Sequence, residues 1–228
     1  MQNQLANLIT LSRLLLMLLV IVLVLKPPAA WQLFVAIPLT IMVFVSDALD
    51  GYVARRFQQT SKLGAVLDIA VDRTVEICFW IVFAAMGLIP VWIPLLFVIR
   101  GVLVDAIRAE GGKSGQAPFD IMRSALGRWL VAGRFIRAFY AVIKTTAFCL
   151  LILVYALPSL FGAGQWFPAA QLAPATSVAW WLAWLAIGLS VFLCIVRGLP
   201  VIAEFIHQQS QTPADSKPAT AASQKTPR

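Results

Sequence analysis

The chain has 228 residues, 61% of them hydrophobic, and its 18 Lys and Arg outnumber 10 Asp and Glu for a formal charge of +8. That composition excludes an ordinary soluble domain and points to a polytopic membrane protein. One histidine and three unpaired cysteines exclude a histidine-rich metal centre, zinc ligation, dithiol redox chemistry and a disulfide framework, and without a basic stripe interleaved with aromatics nucleic acid is no partner.

At about 20 residues per crossing, the apolar runs predict six transmembrane helices: Leu8–Leu25, Trp31–Asp50, Leu63–Leu88, Val91–Arg108, Phe135–Leu157 and Ser177–Ile206. The fold class is therefore all-α. A spanning chain must satisfy its backbone internally, and no β-barrel alternation is visible. No short apolar core with a small-residue cleavage site opens the chain, so the first helix is expected to be retained. The last run is long enough to tilt or to leave the bilayer as a helix.

Charge placement predicts orientation. Arg55, Arg56 and Lys62 follow the second run; Arg108, Lys113, Arg123, Arg128, Arg134 and Arg137 follow the fourth; Lys217, Lys225 and Arg228 follow the sixth. The opposite connections carry only Lys26, and 158–176 has no charge. Both termini are thus expected in the cytoplasm, with Trp31, Trp92, Trp166, Trp180 and Trp181 forming an outer aromatic belt. One membrane domain is expected over 1–207, and a disordered Ser/Thr/Pro/Ala/Gln-rich tail over 208–228. Between Gly111 and Gly133, the stretch DIMRSALGRWLV places Ile121, Met122, Leu126, Trp129 and Leu130 near one face. It reads as an interfacial amphipathic helix or as a plain helical linker.

Four of the ten acidic residues, Asp47, Asp50, Asp68 and Asp72, fall in SDALDGYVARRFQQTSKLGAVLDIAVDR. Carboxylates at membrane depth are costly and mark a site. Asp47 and Asp50 are three apart, and Asp68 and Asp72 four apart, so each pair shares a helix face. The short connection near Gly64 makes the second and third helices antiparallel neighbours, which brings all four carboxylates to one cytoplasmic pocket. A divalent cation with oxygen ligands is their natural partner. Gly51 and Ala54 leave space for a close approach, and Arg55 can grip two phosphate oxygens. Carboxylates, metal and an adjacent arginine are the parts of phosphoryl transfer.

The complete string D-x-x-D-G-x-x-A-R-x8-G-x3-D-x3-D resembles the signature of the CDP-alcohol phosphatidyltransferases, and the family's six-helix topology with a cytoplasmic-facing site agrees with the one read above. Asn7, Thr10 and Arg13 in NLITLSR resemble that family's opening segment, although Arg13 could merely snorkel to the interface. The resemblance implies that Asp47, Asp50, Asp68 and Asp72 hold Mg2+ or Mn2+. It implies that Asn7, Thr10, Gly51, Ala54, Arg55 and Gly64 line the CDP pocket, and that Asp72 is the general base. It further implies CDP-diacylglycerol as donor, release of CMP, a homodimer among membrane lipids, and residence in a bacterial inner membrane.

The acceptor is less legible. From Arg100 to Lys144, eight basic residues face Asp105, Glu110 and Asp120, a wall suited to an acceptor that carries phosphate, or simply positive-inside loop charge. Arg100, Arg108, Arg134, Arg137 and Lys144 are the candidate phosphate ligands. Arg100 and Arg108 resemble the R-x7-R stretch of the phosphatidylglycerophosphate synthases, and Lys144-Thr145 their later K-T pair, which favours glycerol 3-phosphate. Gly101 stands where those synthases commonly have Glu, and Arg73 where they usually have Lys. Asp72-Arg73 with Glu76 is closer to the inositol-phosphate branch, so inositol 1-phosphate is the alternative. An intramembrane prenyltransferase and a non-catalytic scaffold or transporter subunit are the rival classes; the first lacks the G-x-x-A-R element, and the second leaves the acidic string unexplained.

Overall fold

The computed structural model describes residues 3–56, 62–113, 133–160 and 174–211. They form six α-helices: α1 (Asn3–Val24), α2 (Trp31–Arg56), α3 (Lys62–Ala85), α4 (Trp92–Lys113), α5 (Arg134–Leu160) and α6 (Pro174–Gln211). Each predicted run becomes one helix, and the differences lie at the ends. Apolar runs stop where charge begins, whereas helical hydrogen bonding continues through charged residues. Hence α2 continues past Asp50 through DGYVARR, α4 past Arg108 to Lys113, and α6 past His207 to Gln211. The stretch 114–132, with the expected amphipathic helix, lies outside the described residues, as does 212–228.

Two turns show how local chemistry sets the connections. Gln32, 1% exposed, donates from Nε2 to the carbonyls of Leu23 and Pro27 at 3.0 and 3.1 Å, and its Oε1 accepts from the Ala29 N–H. One amide side chain thereby satisfies the groups that the α1–α2 turn leaves unpaired. After α3, Gly87 adopts φ +72°, where a side chain would be strained. Its N–H bonds the Ala84 carbonyl and the Leu88 N–H bonds the Phe83 carbonyl, which closes the helix.

Helix α1 packs against both α2 and α3, α2 against α5, α3 against α4, and α6 against α5 and α4. Helices α2 and α3 meet directly through the Phe44 and Phe79 rings, 5.9 Å apart by centroid, and both also pack against α1. The core is aromatic: Phe148 of α5 packs within 4.6–5.9 Å of Trp80, Phe79, Phe83 and Phe44 by ring centroid. Where lipid surrounds a bundle, such close packing rather than water exclusion holds helices together.

Outward faces are apolar, with Leu15, Phe34, Leu185 and Trp181 each more than two-thirds exposed. Two segments, Phe135–Ser159 and Val178–His207, are long and apolar enough to cross a bilayer by themselves, and Thr10–Val24 and Trp31–Ser46 are shorter apolar helices. A hydrocarbon phase is what such a surface suits.

Candidate active site

Arg13 organises the site. It is fully buried, so it does not snorkel. From α1 its Nε donates to the Val43 carbonyl of α2 at 3.3 Å, and that carbonyl also accepts from Ser46 Oγ at 3.0 Å. Its two terminal nitrogens lie 3.8 Å from Asp68 and 3.7 Å from Asp72, both on α3. The four-residue spacing of Asp68 and Asp72 puts both carboxylates on the face that meets Arg13. Thr10, one turn before Arg13, is buried on the same helix.

Asp47 comes one helical turn after Val43, and Asp50, Gly51, Ala54 and Arg55 complete the last turns of α2. Their side chains lie outside the described residues, as do those of Asn7, Arg108 and Arg134. Gly64 stands in the first turn of α3. Arg13 thus meets α2 at Val43, one turn before Asp47, and α3 at Asp68 and Asp72.

The donor set fits a divalent cation. Asp68 and Asp72 keep 51% and 44% of their side-chain surface open while sharing one guanidinium beyond hydrogen-bond length. Half-open carboxylates are hard oxygen ligands of the kind magnesium takes. No group of three His, Cys, Asp or Glu that could hold a metal is gathered among the described residues alone, so a closed site also needs the end of α2.

Next to this lies a buried ionic network that the sequence reading did not assemble. Glu76, 2% exposed, is met by Lys144 Nζ of α5 at 3.0 Å and by Arg73 at 3.3 Å. The Tyr140 hydroxyl donates to it at 3.4 Å. Arg73 also forks onto both oxygens of Asp105 on α4, at 3.0 and 3.2 Å, the bidentate geometry that suits guanidinium. Lys144 and Arg197 lie over the Tyr140 ring, 4.5 and 5.2 Å from its centroid. A buried carboxylate is tolerable only when so compensated.

Of the candidate acceptor ligands, Lys144 belongs to this network. The Arg100 charge acts on Glu76, yet its buried Nε has no hydrogen-bond partner among the described residues. Arg137 instead is exposed near the start of α5. Glu76, Asp105, Tyr140 and Arg197 were missed as a cluster. The signal was present, since Glu76 and Arg197 interrupt long apolar runs, and an ionisable residue there marks a functional position.

A model of the CDP-alcohol phosphatidyltransferase family matches residues 3–192. The chain is similar to a putative cardiolipin synthase of Mycobacterium tuberculosis (strain ATCC 25618 / H37Rv), 46% identical over 66 residues, which cover 28% of this chain and 32% of that protein. It is similar to the CDP-diacylglycerol--glycerol-3-phosphate 3-phosphatidyltransferase of Escherichia coli (strain K12), 32% identical over 119 residues, covering 50% of this chain and 64% of the other. It is also similar to the CDP-diacylglycerol--inositol 3-phosphatidyltransferase 1 of Arabidopsis thaliana, 49% identical over 41 residues, covering 18% of each. The matches span about a third of the length of the mycobacterial relative and under two thirds of the other two. The last two names share CDP-diacylglycerol and differ in the alcohol, glycerol 3-phosphate or inositol.

Proposed function

This chain belongs to the CDP-alcohol phosphatidyltransferase family, and we propose that it transfers a phosphatidyl group from CDP-diacylglycerol to an alcohol with release of CMP, a step of phospholipid synthesis. The observation that carries this reading is the three-helix junction at Arg13. It ties the Val43 turn of α2 to Asp68 and Asp72 of α3, so that the α2 carboxylates Asp47 and Asp50 follow one and two turns on.

Asp47, Asp50, Asp68 and Asp72 would hold Mg2+ or Mn2+, which neutralises pyrophosphate charge when bound. Asn7, Thr10, Gly51, Ala54, Arg55 and Gly64 line the CDP side. Arg13 keeps Asp68 and Asp72 at a fixed spacing. Asp72 accepts the proton of the acceptor hydroxyl as that oxygen bonds to the lipid-side phosphorus and the bond from phosphorus to CMP breaks. Nearby positive charge makes Asp72 a weak base, so its contribution depends on hydrogen-bond reach.

All six helices span the bilayer in this reading, although among the described residues only α5 and α6 are each long and apolar enough alone. Both termini and the site face the cytoplasm of a bacterial inner membrane, as the distribution of Lys and Arg supports, and the chain works as a homodimer. The acceptor is a phosphorylated alcohol, glycerol 3-phosphate first and inositol 1-phosphate second. The convergence of Lys144 and Arg73 on Glu76 supports it. Purified protein in detergent with magnesium and CDP-diacylglycerol should release CMP only when an alcohol is supplied. Failure with glycerol 3-phosphate, inositol 1-phosphate, serine and glycerol alike would return the chain to the non-catalytic class.

A further inference from the structure

Two glycines sit where arginines of neighbouring helices pass. A Cβ built on Gly198 of α6 would stand 2.8 Å from Cγ and 3.1 Å from Nε of Arg100, on α4. A Cβ on Gly101 of α4 would stand 3.1 Å from Cδ of Arg73, on α3. The two arginines are held differently. Arg73 is anchored at its tip by Asp105 and Glu76. Arg100 makes no hydrogen bond or ion pair among the described residues, and its Nε is buried. What confines Arg100 is therefore the shape of the α4–α6 interface, and the missing side chain of Gly198 is the feature that lets its stem through.

The alternative course for the Arg100 side chain is unfavourable. A groove of about 450 Å³ runs between α4 and α6, lined around Arg100 and Gly198 by Leu96, Ile99, Leu103, Ile195, Leu199 and Ile202. A guanidinium pushed into that groove finds no acceptor in its lining, and an unpaired charge in apolar surroundings is costly. A side chain at 198 thus forces either the interface apart or Arg100 out of line with Glu76.

We propose that Gly198 is a positioning residue for acceptor binding: its slot aims the Arg100 guanidinium at the acceptor phosphate, beside Lys144. This inference rests on the phosphorylated-acceptor reading. An anion placed there meets a cation whose hydrogen-bonding capacity is not spent on the protein, and charge-assisted bonds of that kind are about twice as strong as neutral ones.

The test is a double-mutant cycle on the full-length protein in detergent, with CMP release measured against glycerol 3-phosphate and against CDP-diacylglycerol. Gly198→Ala should raise the KM for glycerol 3-phosphate by roughly tenfold, the size of one lost charged hydrogen bond, and leave the KM for CDP-diacylglycerol unchanged. In an Arg100→Ala background the Cγ that meets the new methyl is gone, so adding Gly198→Ala should change nothing further. The same rise in both backgrounds, no rise in either, or an equal loss towards both substrates would overturn the proposal. A wild-type protein that turns over only unphosphorylated alcohols would overturn the acceptor reading instead, before any variant is compared.

Discussion

Lys144 donates from Nζ to Oε1 of Glu76 across 3.0 Å, with the two side chains 8% and 2% exposed. Neither has water to fall back on, so losing Glu76 leaves the Lys144 ammonium buried without its carboxylate; breaking such a pair costs about 3–5 kcal/mol. Glu76→Ala should therefore lower the thermal midpoint in detergent sharply. Glu76→Gln combined with Lys144→Met should lose much less, because both charges leave together. A double variant as unstable as Glu76→Ala would mean that the pair is not what holds α3 to α5.

Arg13 links three helices through one guanidinium, so its replacement should be felt at both ends. Arg13→Ala removes the hydrogen bond to Val43 and leaves Asp68 and Asp72 to repel each other across one turn. Lys at 13 keeps a charge but offers a single point rather than a fork. We expect Arg13→Ala to reduce CMP release by about two orders of magnitude, and Arg13→Lys to recover only part of it, as for loss of a buried charged contact worth about 3 kcal/mol. Equal rates for Lys and Arg would show that charge alone matters there.

The four aspartates should separate by role. Asp47→Ala and Asp50→Ala should damage both turnover and CDP-lipid binding, and Asp68→Asn should raise the magnesium concentration needed for half-maximal CMP release. Asp72→Asn should lower kcat more than it weakens CDP-diacylglycerol binding, since a base acts on the acceptor proton. Chelation by EDTA should abolish release, and added Mg2+ or Mn2+ should restore it. Full activity in EDTA would remove the metal from the scheme.

Gly101 offers a stability measurement independent of catalysis. A methyl there comes 3.1 Å from the Arg73 stem, whose tip is held by both oxygens of Asp105, so little can give. Overpacking of this kind costs about 1–3 kcal/mol, and Gly101→Ala should show it as a lower unfolding midpoint. Combined with Arg73→Ala, the added methyl should become nearly harmless. Destabilisation that persists without Arg73 would place the strain elsewhere in the α3–α4 interface.

Much of this architecture could be read from the chain because long apolar runs announce helices, and all six predicted runs became helices. The acidic string was equally conspicuous in the chain, since carboxylates in an apolar setting mark a site, and the structure brings its second pair, Asp68 and Asp72, to Arg13. Two things were not. Arg13 looked equally able to snorkel, because nothing in NLITLSR tells that Val43, thirty residues away, turns a carbonyl toward it. The network around Glu76 draws on α3, α4 and α5, with Arg197 of α6 over its tyrosine, and sequence spacing cannot show which single charges of distant helices meet. Gly101 and Arg73, noted separately as departures from the synthase pattern, turn out to touch.

The acceptor remains the sharpest test of how the basic residues divide. Lys144 is buried in the Glu76 network and Arg100 is half-buried with its Nε enclosed, whereas Arg137 is exposed at the head of α5. A buried cation meets a phosphate with little competing water, while a solvated one contributes no more than about 1 kcal/mol. Arg100→Ala and Lys144→Ala should therefore raise the KM for glycerol 3-phosphate by roughly tenfold or more, and Arg137→Ala should stay within about fivefold. All three should spare CDP-diacylglycerol. An acceptor screen with products identified by mass spectrometry completes the case: glycerol 3-phosphate should lead and inositol 1-phosphate follow. Turnover of serine without turnover of either phosphate would show that the buried cations serve the fold alone, and Lys144 would then be no more than the counter-charge of Glu76.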